Sequence, residues 1–140
     1  NEGLIDIIAT DHAPHAPTDK VCTYNEAAHG INVLETAFSS VFQLVDAGKI
    51  SVVRLIESLT SGPAAILHKD LGSLKKGFYA DVVVIDPGRN WIVNPEQFES
   101  KSVNSPLTGV ELTGRVVTTI YQGDTVFDIS DVVANAGAKQ

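Results

Sequence analysis

Only one stretch in the first 68 residues has the pattern of a buried strand, and one strand cannot make a sheet. Ile5-Asp6-Ile7-Ile8-Ala9 is a short apolar run between polar residues, which reads as a strand in a core. From there to Leu67 the pattern is loop and helix. The first half is therefore expected to be part of a larger α/β domain. The run leads into Thr10-Asp11-His12-Ala13-Pro14-His15, so an acid and two imidazoles stand where the strand would leave the core. In barrels and open α/β sheets that is where catalytic groups are placed.

Asp11 to Gly30 lacks periodicity and holds Pro14 and Pro17, the signature of a long, functional loop. From Ile31 to Ala47 the pattern turns helical, with Leu34, Phe38, Val41 and Val45 as one apolar stripe. Gly48 fits just past the helix end. Ser51 can cap a second helix whose inner face is Val52, Leu55, Ile56 and Leu59. Ser61-Gly62-Pro63 is expected to break it, with Pro63 opening a third helix through Leu67.

Composition changes near Lys69, where glycines begin to punctuate β-rich stretches. Ala80 to Asp86 reads as a strand buried on both faces and ended by Pro87-Gly88. Trp91-Ile92-Val93 reads as a short strand, and Leu112 to Tyr121 as a longer one. Gln122-Gly123-Asp124 is expected to turn tightly into Thr125-Val126-Phe127, closing a hairpin. The expected organisation is a barrel-type part at 1–68, a small β module at 69–130, and a frayed helix or tail at 131–140.

The net charge is −7, and Lys75-Lys76 is the one basic pair, so nucleic acid and anionic membranes are not expected partners. Apolar residues make up 44% and charged residues 19%, the balance of a packed protein rather than a disordered one. No apolar run approaches the ~20 residues that span a bilayer, and Asn1-Glu2-Gly3 has no basic n-region. Cys22 is the only cysteine, compatible with a reducing compartment such as the cytoplasm. Methionine is absent even at position 1, and the reading is that the natural start lies upstream.

Among the polar residues, Asp11 has two balanced readings: a general base at a strand mouth, or a cap on the following turn. His15 is either an anchor for an anionic ligand or, the commoner case, a loop histidine bonded to backbone. His12 and His15 do not make a metal site by themselves, because Pro14 keeps them off a helix and zinc needs three or four ligands. Glu35 reads as a buried ion pair or cap, Cys22 as a small apolar filler, and His29 and His68 as surface or boundary residues.

The run Ile7 to His15 resembles the Asp-His-Ala-Pro-His signature of dihydroorotases, in the cyclic amidohydrolase superfamily. Gly30-Ile31 with Leu34-Glu35-Thr36-Ala37 resembles that family's Gly-Ile-x-Gly-Leu-Glu-Thr-Ala stretch. Leu71-Gly72-Ser73-Leu74, Gly77, Ala80-Asp81 and Val82 to Asp86 resemble a further family segment, as do Asn104-Ser105-Pro106, Gly109 and Gly114. The resemblance covers roughly residues 3–128.

It implies an α/β fold: the C-terminal piece of a (β/α)8 amidohydrolase barrel, with Ile5 to Ala9 as its last strand and the helices closing it. The later residues would form part of a small β-sandwich. The implied activity is the reversible, zinc-dependent hydrolysis of dihydroorotate to carbamoyl-aspartate in pyrimidine biosynthesis. Asp11 would be the catalytic acid that touches the metal through a bridging hydroxide. His15, Gly30 and Ile31 would bind substrate, and His12 and Asn104 would support them.

The sequence departs from the family at Val33, which replaces a glycine of the substrate loop. The family's other zinc ligands have no counterpart here, so the chain is read as a C-terminal fragment that binds no zinc tightly alone. Two alternatives stay open: a non-catalytic subunit that partners aspartate carbamoyltransferase, and a hydantoinase or allantoinase. An orphan barrel strand is also expected to make the isolated chain self-associate or require its N-terminal part.

Overall fold

The computed structural model describes residues 3–131. Three helices come first: α1 (Ala37–Asp46), α2 (Val52–Leu59) and α3 (Ser61–Ile66). Three strands follow: β1 (Val82–Ile92), β2 (Glu111–Tyr121) and β3 (Asp124–Asp128). The strands form one antiparallel sheet in the order β1-β2-β3.

The expected opening strand is absent. Ile5 to Ala9 is irregular, and Ile5 is 71% exposed. A strand exists only through a ladder with a neighbour. Without one among the described residues, the segment lies along α2 instead. The Ile8 N–H donates to the Ser58 carbonyl at 3.0 Å, and the Arg54 guanidinium donates to the Ile5 carbonyl.

The first helix is shorter than the periodicity implies. A 3-10 turn at Leu34–Thr36 leads into α1, and residues 31–33 are not helical. Its buried face also differs from the expected stripe. Thr36, Ser39 and Phe42 are buried, whereas Leu34 is 59% exposed. The reason is what α1 packs against. It lies on β2 at Gly114, where an added Cβ would stand 2.9 Å from Phe42 Cδ1. The Ser39 hydroxyl donates to the Gly114 carbonyl, and the Trp91 indole N–H donates to Ser39 Oγ at 3.2 Å. Close approach to backbone calls for small side chains, so the seam runs through residues that an apolar count passes over.

Local signals fared better. Gly48 takes φ +66° just beyond α1, and its N–H bonds the Val45 carbonyl at 2.9 Å. The Ser51 hydroxyl caps α2 by accepting the Arg54 N–H at 3.1 Å. Leu55 and Ser58 are the buried residues of α2, while the expected inner residues Val52 and Ile56 are exposed. The break before α3 lies at Thr60 (φ −128°, ψ −87°), so Ser61, Gly62 and Pro63 are helical, not a breaker. Pro63 fits because N–H groups in a helix's first turn have no intrahelical acceptor.

In the β half, Pro87-Gly88 does not end a strand. β1 runs through it as a bulge: Asp86 pairs with Arg115 and Asn90 with Thr113, so Pro87, Gly88 and Arg89 stand against Gly114 alone. Proline is tolerated because β1 is an edge strand. Its valines are not buried on both faces: α1 packs on β2, and Val83 and Val84 are exposed. The expected hairpin is present, with Gln122 at φ 52° and Gly123 at φ 94°, the backbone of a two-residue type I′ turn. Trp91, Val93 and Leu112 form the core of this half, with Phe98 and Leu107 packed against it. The expected tail beyond Asp131 lies outside the described residues. Among the described residues, no helix is long and apolar enough to cross a membrane.

Candidate active site

The loop after Ala9 turns sharply at Asp11, which takes φ 47°. Positive φ is uncommon outside glycine, and aspartate is among the residues that tolerate it. Asp11 is exposed, not desolvated, and among the described residues its carboxylate has no hydrogen-bond or ion-pair partner. It therefore caps no turn there and remains available to a ligand.

The two histidines are fixed by different segments. His12 Nδ1 accepts the backbone N–H groups of Val33 and Leu34, each at 3.2 Å. With Nδ1 accepting both, Nε2 is the ring atom left to face a further partner. His15 Nε2 donates to the His29 carbonyl at 2.6 Å, which leaves Nδ1 as its other ring atom, 3.9 Å from Asp19 Oδ2. The backbone anchorage foreseen for His15 is thus present, and it occupies one nitrogen only.

Gly30 closes the site from the other side. Its φ is +109°, and an added Cβ would stand 2.5 Å from Ala13 Cβ and 2.9 Å from the Ala13 carbonyl oxygen. Only glycine lets these two loops approach so closely. The Ala13 N–H then donates to the Ile31 carbonyl at 3.1 Å. Thus His12, His15, Gly30 and Ile31 are brought together in one place, although Gly30 lies 15 or more positions beyond the histidines.

The β half supplies a third side. The Asn104 side-chain amide donates to the Gly30 carbonyl at 3.3 Å, and the Asn104 backbone carbonyl accepts the Asn32 N–H at 2.9 Å. Asn32 is fully buried, and its Nδ2 donates to the Ser102 carbonyl at 2.6 Å. Among the described residues its Oδ1 has no partner. Lys20 donates to the carbonyls of Ala28 and of Gly30, the latter at 2.7 Å. A cavity of about 440 Å³ beside His15 is lined by Pro14, Ala16, Pro17, Ser100, Lys101 and Ser102.

Asn32, Ser102 and Lys20 are the participants that sequence reasoning missed. Their partners are distant backbone carbonyls, which no local pattern marks. Other readings need correction. Glu35 makes no ion pair among the described residues; its Oε1 accepts the Ser100 N–H at 2.9 Å and Oε2 is buried without a partner. Cys22 is exposed and fills no core. His29 and His68 are exposed, as expected. Val33 has φ −133°, so its backbone does not need the glycine it replaces.

A second cavity, about 410 Å³, lies between α1 and the sheet and contains none of the histidines or Asp11. Arg115 lies over the Trp91 ring there, 4.7 Å from its centroid. Desolvation by burial, then the nearby charge of Arg89, lowers the Arg115 pKa.

Among the described residues, no three His, Cys, Asp or Glu side chains converge as a metal site would require.

A sequence profile described as the amidohydrolase family matches residues 1–126. A dihydroorotase of Citrifermentans bemidjiense is 44% identical over 126 residues, which is 90% of this chain and 30% of that protein. A dihydroorotase of Clostridium acetobutylicum is 44% identical over 128 residues, 91% of this chain and 30% of that protein. Among solved structures, the L-hydantoinase (dihydropyrimidinase) from Arthrobacter aurescens superposes with a TM-score of 0.82 at 31% identity, over 90% of this chain and 29% of its own. A D-hydantoinase from Bacillus sp. AR9 gives a TM-score of 0.83 at 21% identity, over 91% of this chain and 29% of its own, a likeness of fold. The chain thus spans about 30% of the length of the curated relatives it matches.

Proposed function

Because the chain belongs to the amidohydrolase family, we propose that it is the part of a dihydroorotase that carries the proton-transferring acid and one side of the substrate site. The observation that carries the reading is the packing of Gly30 on Ala13, which presents the Asp-His-Ala-Pro-His loop and the Gly30–Ile31 backbone together. In this reading Ile5 to Ala9 completes a barrel with strands from outside these residues, and the three-stranded sheet is part of a β-sandwich. The enzyme works in the cytoplasm, in pyrimidine biosynthesis.

Asp11 takes a proton from the attacking water and returns it to the departing ring nitrogen as the cyclic amide opens. Its unpartnered carboxylate suits the task, and general acid–base transfer of this kind contributes about 10²–10⁴-fold. His15, its Nε2 tied to the His29 carbonyl, offers Nδ1 when protonated to the substrate carboxylate. The Gly30–Ile31 backbone borders the ring; Asn104 holds it at the Gly30 carbonyl, and His12 holds the Val33–Leu34 backbone that follows it. The zinc expected from the family, with its remaining ligands outside these residues, would lower the pKa of a bound water toward about 7 and polarise the amide carbonyl.

The non-catalytic alternative drew on Val33, whose backbone at φ −133° is one that any residue adopts without strain. The hydantoinase reading rests on structural likeness at 31% identity, against 44% for dihydroorotases. The test is carbamoyl-aspartate cyclisation by the full-length enzyme containing this sequence. Asp11→Asn is expected to lower kcat by about 10²–10⁴-fold. Retention of most activity removes Asp11 from the role, and preference for hydantoins over dihydroorotate overturns the substrate.

A further inference from the structure

We propose that Asn32 is a positioning residue, which latches the Gly30–Ile31 backbone to the Ser102–Asn104 segment and so sets where that backbone stands against the Asp11–His15 loop. The proposal rests on the functional reading above and deepens it. Asn32 is 0% exposed yet lies in an irregular loop, outside the apolar core of Trp91, Val93 and Leu112. Its two donors go to one place. The backbone N–H reaches the Asn104 carbonyl at 2.9 Å, and Nδ2 reaches the Ser102 carbonyl at 2.6 Å, 70 positions along the chain. Asn104 answers through its own Nδ2, 3.3 Å from the Gly30 carbonyl.

The chemistry of the side chain supports a latch over a filler. Among the described residues, the buried Oδ1 has no partner. A leucine of similar volume would fill the space and strand no oxygen, but it could not donate to the Ser102 carbonyl. Ile31 lies between the latch and the motif, its carbonyl accepting the Ala13 N–H at 3.1 Å. A shift at Asn32 is therefore transmitted to both sides of the proposed substrate site. Asn32 itself touches no reacting atom.

The test uses the full-length enzyme with Asn32→Leu and Asn32→Asp, both of which remove the amide donor. Loss of one hydrogen bond's net contribution predicts a rise in KM for dihydroorotate of about twofold to tenfold. The kcat and the acid limb of its pH profile are expected to stay within about twofold, since Asp11 is untouched. Asn104→Ala removes the return bond without entering the buried site, and should give the same signature if the buried variants do not fold. An unchanged KM, or kcat falling in step with a lowered melting temperature, overturns the proposal.

If the unsubstituted enzyme does not turn over dihydroorotate, the functional reading fails separately. The latch is then read by hydrogen exchange. Faster exchange at the Ala13 and Asn32 amides in Asn32→Leu, with the β2–β3 hairpin unchanged, supports it, and equal protection overturns it.

Discussion

The loop region 11–34 and the β half around Trp91 are ordered by opposite means. The loops bury little apolar surface; they are held by imidazole, ammonium and amide groups that reach backbone carbonyls and N–H groups. The β half is held by Trp91, Val93 and Leu112 in contact, with a ladder beside them. The difference teaches where geometry matters most. Hydrogen bonds fix direction and distance, and apolar contact fixes only proximity. The residues assigned to chemistry lie in the part built from directional bonds.

Substitutions can break this contrast. The largest stability loss is expected from Trp91→Ala, about 3–5 kcal/mol for a buried aromatic that also bonds Ser39 and lies under Arg115. Chemical denaturation of the full-length enzyme measures it, and activity per folded molecule should hold. Gly30→Ala should show the reverse balance. A Cβ 2.5 Å from Ala13 Cβ at φ +109° costs about 1–3 kcal/mol locally. Dihydroorotate turnover is expected to fall at least tenfold while the β half keeps its hydrogen-exchange protection. Equal losses in both regions would erase the distinction.

Ser51→Ala removes the α2 cap and should cost about 1 kcal/mol, with no effect on KM. The smallest effect is one of acidity. Asp128 has its pKa lowered from 3.8, first by the Ser130 hydroxyl and then by the Ser130 N–H. A lowered folded-state value means the bonds stabilise above the unfolded pKa and are lost as pH falls through the folded one. Asp128→Asn should therefore flatten a slight loss of hairpin stability below about pH 4, seen in acid melts.

What the sequence disclosed follows the range of each interaction. Gly48, Ser51 and the Gln122-Gly123 turn were legible because each is decided by its own dihedral or by a partner three residues away. Ile5 to Ala9 forms no ladder because a strand depends on a neighbour that the described residues do not contain. The face of α1 was misread because its partner is the backbone at Gly114, which favours Ser39 over leucine. The family resemblance pointed to the Asp11–His15 motif, Gly30 and Asn104, and the structure brings the His15 loop, Gly30 and Asn104 together. Asn32 and Lys20 were not, since their acceptors are carbonyls that any residue could present.

One peptide unit shows what such bonding does beyond holding a loop. The Gly30 carbonyl oxygen receives the Lys20 ammonium at 2.7 Å and the Asn104 amide at 3.3 Å. Positive charge gathered at that oxygen draws electron density along the Gly30–Ile31 amide, and hydrogen bonds in series polarise one another. The N–H of Ile31 at the far pole becomes a stronger donor, tuned by a lysine it never meets.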